Sequence, residues 1–148
     1  MSLQTRLNDE IKAAMLAKDA DRLSTLRLLK SAANYAQLER KTDTISDGDF
    51  VSVVQKEIKK RRDSIEQFQK GGRVEQAARE KAEIPVLEGF LPQALSPAEL
   101  EQLVRAAIQE TSATSKKQMG LVIKAVQAKA AGRAEGKTIS AVVGKLLG

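Results

Sequence analysis

Apolar residues recur every three or four positions along almost the whole sequence. The clearest stretch is Phe50, Val54, Ile58, Arg61, Ile65 and Phe68, at steps of 4, 4, 3, 4 and 3, with five of the six apolar. That spacing keeps side chains on one face of a 3.6-residue helix, whereas a half-buried strand needs a period of two. The same rhythm runs through Leu3, Leu7, Ile11, Ala14 and Met15, then through Leu23, Leu26, Leu29, Ala33 and Ala36. It continues in Val74, Ala77, Ala78, Lys81, Ile84 and Leu87. Three shorter stripes follow: Leu100, Leu103, Val104, Ala107 and Ile108; Met119, Val122, Ile123, Val126 and Ala130; Ile139, Val142, Val143, Leu146 and Leu147. No alternating segment of useful length competes. Aromatic residues make up only 3% of the chain, so Leu, Ile, Val and Ala must fill the core, which suits helices packed on helices. The expected fold class is all-α.

Local signals mark the helix ends. Ser2 is placed to cap the first helix, and Asp19 and Asp21 interrupt before the second. Ser46, Asp47 and Gly48 form a turn signal, and Gly71-Gly72 gives a left-handed stop. Pro85 is expected to kink or break the fourth helix. Ser96-Pro97-Ala98-Glu99 combines a capping box with Pro at the first helical position, the strongest boundary in the chain. With Pro92 closing the preceding segment, the junction is expected between Phe90 and Ser96. The reading is a larger N-terminal helical part, residues 1–92, and a small C-terminal three-helix domain, residues 93–148. A chain of this length buries about 70% of its unfolded surface and needs no covalent staples.

The chain has no His, no Cys and no Trp. That excludes imidazole bases, thiolate nucleophiles, disulfides and Cys- or His-ligated metals. No acidic loop has calcium-site spacing. No Ser-x-x-Lys or Gly/Ser-rich amidase loop occurs, and no carboxylate pair stands in an apolar stripe. Catalytic residues, metals and cofactors are therefore expected to be none. No apolar run approaches the roughly 18 residues that span a bilayer. The polar start MSLQTRLNDE and the lack of Cys lead to the expectation of a soluble, cytoplasmic protein without a membrane partner.

The formal net charge is +6. Residues 1–95 carry 17 basic and 15 acidic side chains, and residues 96–148 carry 8 basic and 4 acidic. The excess is concentrated in the C-terminal third, which points to a polyanion. The run Lys59-Lys60-Arg61-Arg62 is expected to be a solvated helix face, with Glu57, Asp63 and Glu66 as partners and some stems covering the apolar stripe. Ala131-Gly132-Arg133-Ala134-Glu135-Gly136-Lys137-Thr138 fits a relaxed nucleotide P-loop pattern. It lacks the preceding strand that such a loop needs, so a glycine-punctuated turn between two helices is expected. Thr138 is placed to cap the last helix, where Arg133 and Lys137 could help hold one backbone phosphate. Single-stranded RNA readout by stacking is disfavoured, because Phe50 and Phe68 belong to a core stripe and only Phe90 and Tyr35 remain.

Particular words in the sequence go further. Leu91-Pro92-x-x-Leu95-Ser96-x-x-Glu99-Leu100 resembles the junction of the YqeY-like (GatB/YqeY) family. Met119-Gly120-x-Val122-Ile123-Lys124, then Gly132-Arg133-Ala134-x-Gly136-Lys137-x-Ile139, then Val143 and Leu147, resemble its closing module. Upstream, Lys18-Asp19, Arg27-Leu28-Leu29-Lys30, Lys59-x-Arg61-x-Asp63-Ser64 and Lys70-Gly-Gly-Arg73 are similar as well, so the resemblance covers nearly the whole chain. Pro85 departs from the pattern. The resemblance implies that the C-terminal part is similar to the tail of the GatB component of the glutamine-dependent aspartyl/glutamyl-tRNA amidotransferase, which contacts tRNA while the chemistry lies elsewhere. The family label of carbon–nitrogen ligase with glutamine as amido-N-donor is inherited through that tail. No residue here supports independent catalysis.

The first expectation is an accessory module that binds tRNA by backbone phosphates and shape, linked to transamidation. Lys116, Lys117, Lys124, Arg133 and Lys137 are the expected phosphate contacts. Amidotransferase or aminoacyl-tRNA synthetase proteins are further candidate partners. A protein–protein adaptor without nucleic-acid binding is the alternative, resting on the weak net charge of residues 1–95 and the long amphipathic helices. An enzyme acting alone in amide transfer comes third.

Overall fold

The computed structural model describes residues 1–147. Seven α-helices and no strand occur among them. The chain divides into two compact units, Met1–Leu91 and Pro92–Gly148.

The first unit holds α1 (Leu3–Leu16), α2 (Ala20–Glu39), α3 (Asp47–Lys70) and α4 (Val74–Glu88). Each of the first three begins on a polar cap. Ser2 Oγ accepts from Thr5 N at 3.1 Å, Asp19 Oδ1 from Arg22 N at 3.2 Å, and Ser46 Oγ from Asp49 N at 3.2 Å. Asp47 and Gly48, read as a turn, therefore form the first turn of α3. Leu7, Ile11, Leu26, Leu29, Phe50, Val54, Ile58, Leu87 and Phe90 meet in one apolar core. Arg6 closes its rim: it donates to Gly89 O at 2.7 Å, pairs with Glu10 at 3.0 Å and lies 4.7 Å over the Phe90 ring. Gly72 takes the left-handed conformation after α3, with φ of 73°.

Three details depart from the sequence pattern. Pro85 does not break α4, which runs unbroken to Glu88. Pro85 and Lys81, whose carbonyl loses its helical donor, are both exposed residues. Val74, Ala78 and Lys81 are exposed, while Ala77 and Leu87 carry the buried face of α4. Most instructively, Arg61 is only 7% exposed. Its Nε reaches Glu83 Oε2 at 2.7 Å, and its Nη1 reaches Glu57 Oε2 at 3.1 Å and Glu57 O at 3.2 Å. The basic run is thus not wholly a solvated face. Arg61 takes the inward position of the stripe and ties α3 to α4. Glu80, on α4, has its pKa raised by burial and by Glu83, against a lowering influence from Arg61.

The second unit holds α5 (Pro97–Thr111), a 3₁₀ turn (Lys116–Gln118), α6 (Met119–Ala130) and α7 (Gly136–Leu147). Ser96 Oγ caps α5 by accepting from Glu99 N at 3.1 Å. Leu100, Val104, Ala107, Val122, Val126, Ala130, Ile139 and Val143 form its core, with Leu103, Ile108, Met119, Ile123 and Leu146 packed against it. This unit contains no aromatic residue. Its core is therefore built without aromatic side chains.

Candidate nucleic-acid interface

The expected cations all lie in the second unit: Lys116 and Lys117 in the 3₁₀ turn ahead of α6, Lys124 on α6, Arg133 between α6 and α7, and Lys137 on α7. Gln118 Oε1 accepts from Thr114 N at 2.7 Å, which fixes the 3₁₀ turn carrying Lys116 and Lys117. That turn runs directly into α6. Val122, Val126 and Ala130 bury one side of α6, and Lys124, roughly 200° around from either valine, is exposed. Lys116 and Lys117 lie just ahead of α6 and are exposed as well. The start of α7 lies beside the next turn of α6: a methyl group on Gly136 would sit 3.6 Å from Gln127 Nε2. Lys137 follows Gly136 in the first turn of α7 and is exposed.

Charge pairing separates these cations into two groups. Arg105 pairs with Glu101 at 2.7 Å, Lys129 pairs with Glu110, and Arg133 lies 3.4 Å from Glu99 Oε2. Among the described residues, the expected contacts Lys116, Lys117, Lys124 and Lys137 are exposed and form no ion pair, and the same holds for Lys145 near the end of α7. Their charge is available to a partner.

Arg133 has other work. Its Nε donates to Gln93 O at 2.8 Å, and its own carbonyl accepts from Leu95 N at 2.8 Å. It fastens the segment ahead of α5 to the turn between α6 and α7. That turn uses left-handed backbone at Ala131, with φ of 49°, and at Gly132, with φ of 84°. It follows a helix, so the P-loop pattern is accidental. Thr138 is not a cap either. The helix starts at Gly136, and Ile139 N donates to Glu135 O at 3.0 Å, which puts Glu135 in the capping position. A carboxylate-bearing residue at the positive end of α7 opposes anion binding there. The phosphate cradle expected from Arg133, Thr138 and the helix start is not built. What remains is a set of exposed lysines, whose charge can neutralise a polyanion.

A family model of Yqey-like proteins matches residues 4–147. The chain belongs to the Yqey-like family. It is 36% identical over 92 residues, 62% of its length, to an uncharacterised protein of Schizosaccharomyces pombe, covering 74% of that relative. It is 30% identical over 131 residues, 87% of its length, to Altered inheritance of mitochondria protein 41, mitochondrial, of Pyrenophora tritici-repentis, covering 71% of it. The protein of the same name from Lachancea thermotolerans is 31% identical over 106 residues, 70% of this chain and 57% of the relative. These names overturn the expectation of a cytoplasmic protein. The features behind that expectation do not discriminate: a chain without Cys carries no record of its redox compartment. No helix among the described residues is long and apolar enough to cross a membrane.

Proposed function

We propose that this Yqey-like protein is a tRNA-associated accessory module, linked to glutamine-dependent tRNA transamidation, whose second unit binds RNA by backbone phosphates and shape. The observation that carries the reading is the exposure and lack of ion pairing of Lys116, Lys117, Lys124 and Lys137 in the second unit. Phosphate contacts of this kind position a protein on a nucleic acid without reading its bases. The lack of any aromatic residue in residues 92–148 fits, because stacking platforms are what single-strand readers use. In this reading Arg133 acts by holding the turn that presents Lys137, and the lysines make the contacts. The chain then acts by binding, with chemistry left to partner proteins of the amidotransferase or synthetase class. The names of the relatives support a mitochondrial setting.

The test is filter binding or anisotropy of the purified full chain with bulk tRNA, against a variant with all four lysines changed to Gln. The expected result is a loss of at least tenfold in affinity with helicity unchanged. Equal affinity of parent and variant would sink the reading.

A further inference from the structure

The second helix carries two apolar faces, and only one of them is used. Leu26, Leu29, Ala33 and Ala36 are buried in the core. On the other side Leu28 is 51% exposed, Tyr35 65% and Leu38 77%. With Ser31 they occupy positions 28, 31, 35 and 38, the 3–4–3 spacing of a helix-packing seam. Ser24 and Ser31 keep the seam low between the large side chains, and a shallow recess lies there against Ala20, Leu23 and Arg27. Tyr35 is the one exposed ring in the chain: Phe50 and Phe90 are buried and Phe68 is half-buried. Tyrosine is among the residues enriched in binding hot spots, and here it stands exposed on an apolar seam.

The edges of the seam are charged, and oppositely. Arg27 and Lys30 line one edge, Asp21 and Glu39 the other, as helical periodicity places them. Among the described residues Arg27 and Lys30 have no ion pair. A second copy of the chain fits this pattern poorly. Packed antiparallel, like edges meet, setting bases against bases and acids against acids. Packed parallel and in register, Arg27 lies about 9 Å along the axis from the other copy's Asp21, and Lys30 about 13 Å from its Glu39. Arg27 and Lys30 are satisfied instead by a different helix, one with acids along the edge that meets them.

We infer that the outer face of α2 is a docking seam for an amphipathic helix of another protein, with an apolar stripe at 3–4 spacing and Asp or Glu along the edge that meets Arg27 and Lys30. This is helix-on-helix recognition with charge setting the orientation. It is independent of the phosphate contacts: one unit would grip RNA and the other a protein.

The experiment places a photo-reactive residue at position 31 of the full chain, in cells that express it, and maps the crosslinked segment by mass spectrometry. The expected product is a segment of a different protein with the stated apolar and acidic pattern. Its yield should fall at least tenfold in the Arg27→Glu/Lys30→Glu double variant and persist in the variant lacking the four lysines of the second unit. Both variants alter exposed positions, and circular dichroism checks that they keep their helix content. A crosslink to RNA, to lipid or to a second copy would overturn the inference. So would a segment without the acidic edge, a yield that ignores the charge reversal, or no crosslink.

Discussion

Replacing Arg61 with Ala tests whether the buried ion cluster holds α3 against α4. The Arg61 side chain is 8% exposed, Glu57 14% and Glu83 29%. Removing the guanidinium leaves two carboxylates facing a vacated, poorly hydrated site, with Glu80 close by. Breaking a fully buried pair costs about 3–5 kcal/mol, and the solvent reaching Glu83 lowers this to about 2–3 kcal/mol here. For a unit of this size that corresponds to roughly 10–20 °C in melting temperature. The assay is urea denaturation of the full chain, with circular dichroism for total helix. Fluorescence of Tyr35, the one Tyr in a chain without Trp, reports the first unit alone. The companion variant Arg61→Met/Glu83→Leu removes both charges, leaves Glu57 its partner Lys60 at 3.4 Å, and should recover to within about 1 kcal/mol of the parent. A loss below about 0.5 kcal/mol for Arg61→Ala would refute the reasoning, since exposed pairs are worth that little. A double variant as unstable as the single one would assign the loss to packing of the arginine stem instead.

Three further outcomes follow from the geometry. Glu80 has a raised pKa in the folded chain, so its charged form opposes folding, and stability falls as pH rises from the ordinary carboxylate value through the raised one. Glu80→Gln should therefore stabilise the first unit at pH 7, and the gain over the parent should vanish as pH falls below about 4.5, the ordinary value; thermal melts at both pH values check this. Arg133→Ala loses the bond to Gln93 O and should destabilise the second unit by about 1 kcal/mol, a charged hydrogen bond discounted for partial exposure. It should also speed amide exchange at Leu95, whose N–H the clasp protects. Ala131→Gly relieves a left-handed alanine and should raise the stability of the second unit by about 0.5–1 kcal/mol, measured by urea denaturation.

How much of this was legible in the sequence depended on separation along the chain. Ser2 and Ser96 act on amides three residues away, so their caps are legible directly; Asp19 and Ser46 cap α2 and α3 by the same local bond, although their surroundings look like an interruption and a turn. The buried faces of α5, α6 and α7 follow one helical period each, and Leu100, Val122, Ile139 and their neighbours lie where the spacing put them. Arg61 was visible as the odd member of a stripe, but its partner Glu83 lies 22 residues away and comes into reach only when α3 and α4 pack. Arg133 reaches Gln93 across 40 residues, so its clasp left no local trace, and a basic residue in a glycine-rich turn looked like an anion ligand. Met15 fitted the α1 period yet is half exposed, because Leu7, Ile11 and Ala14 already fill the contact. The lysines of the second unit were legible as charge. That Lys116, Lys117, Lys124 and Lys137 stay unpaired while Lys129 does not required the fold.

The most direct measurement of the proposed function is the salt dependence of tRNA binding by the full chain. Four phosphate contacts at about 0.7–0.9 log units per decade of salt give a slope of about −3 to −3.5. Affinity should then fall roughly 50- to 150-fold between 50 and 200 mM salt. Changing Lys116, Lys117, Lys124 and Lys137 to Gln should take most of that slope away. A flat salt dependence in the parent, or an unchanged slope in the variant, would contradict the account.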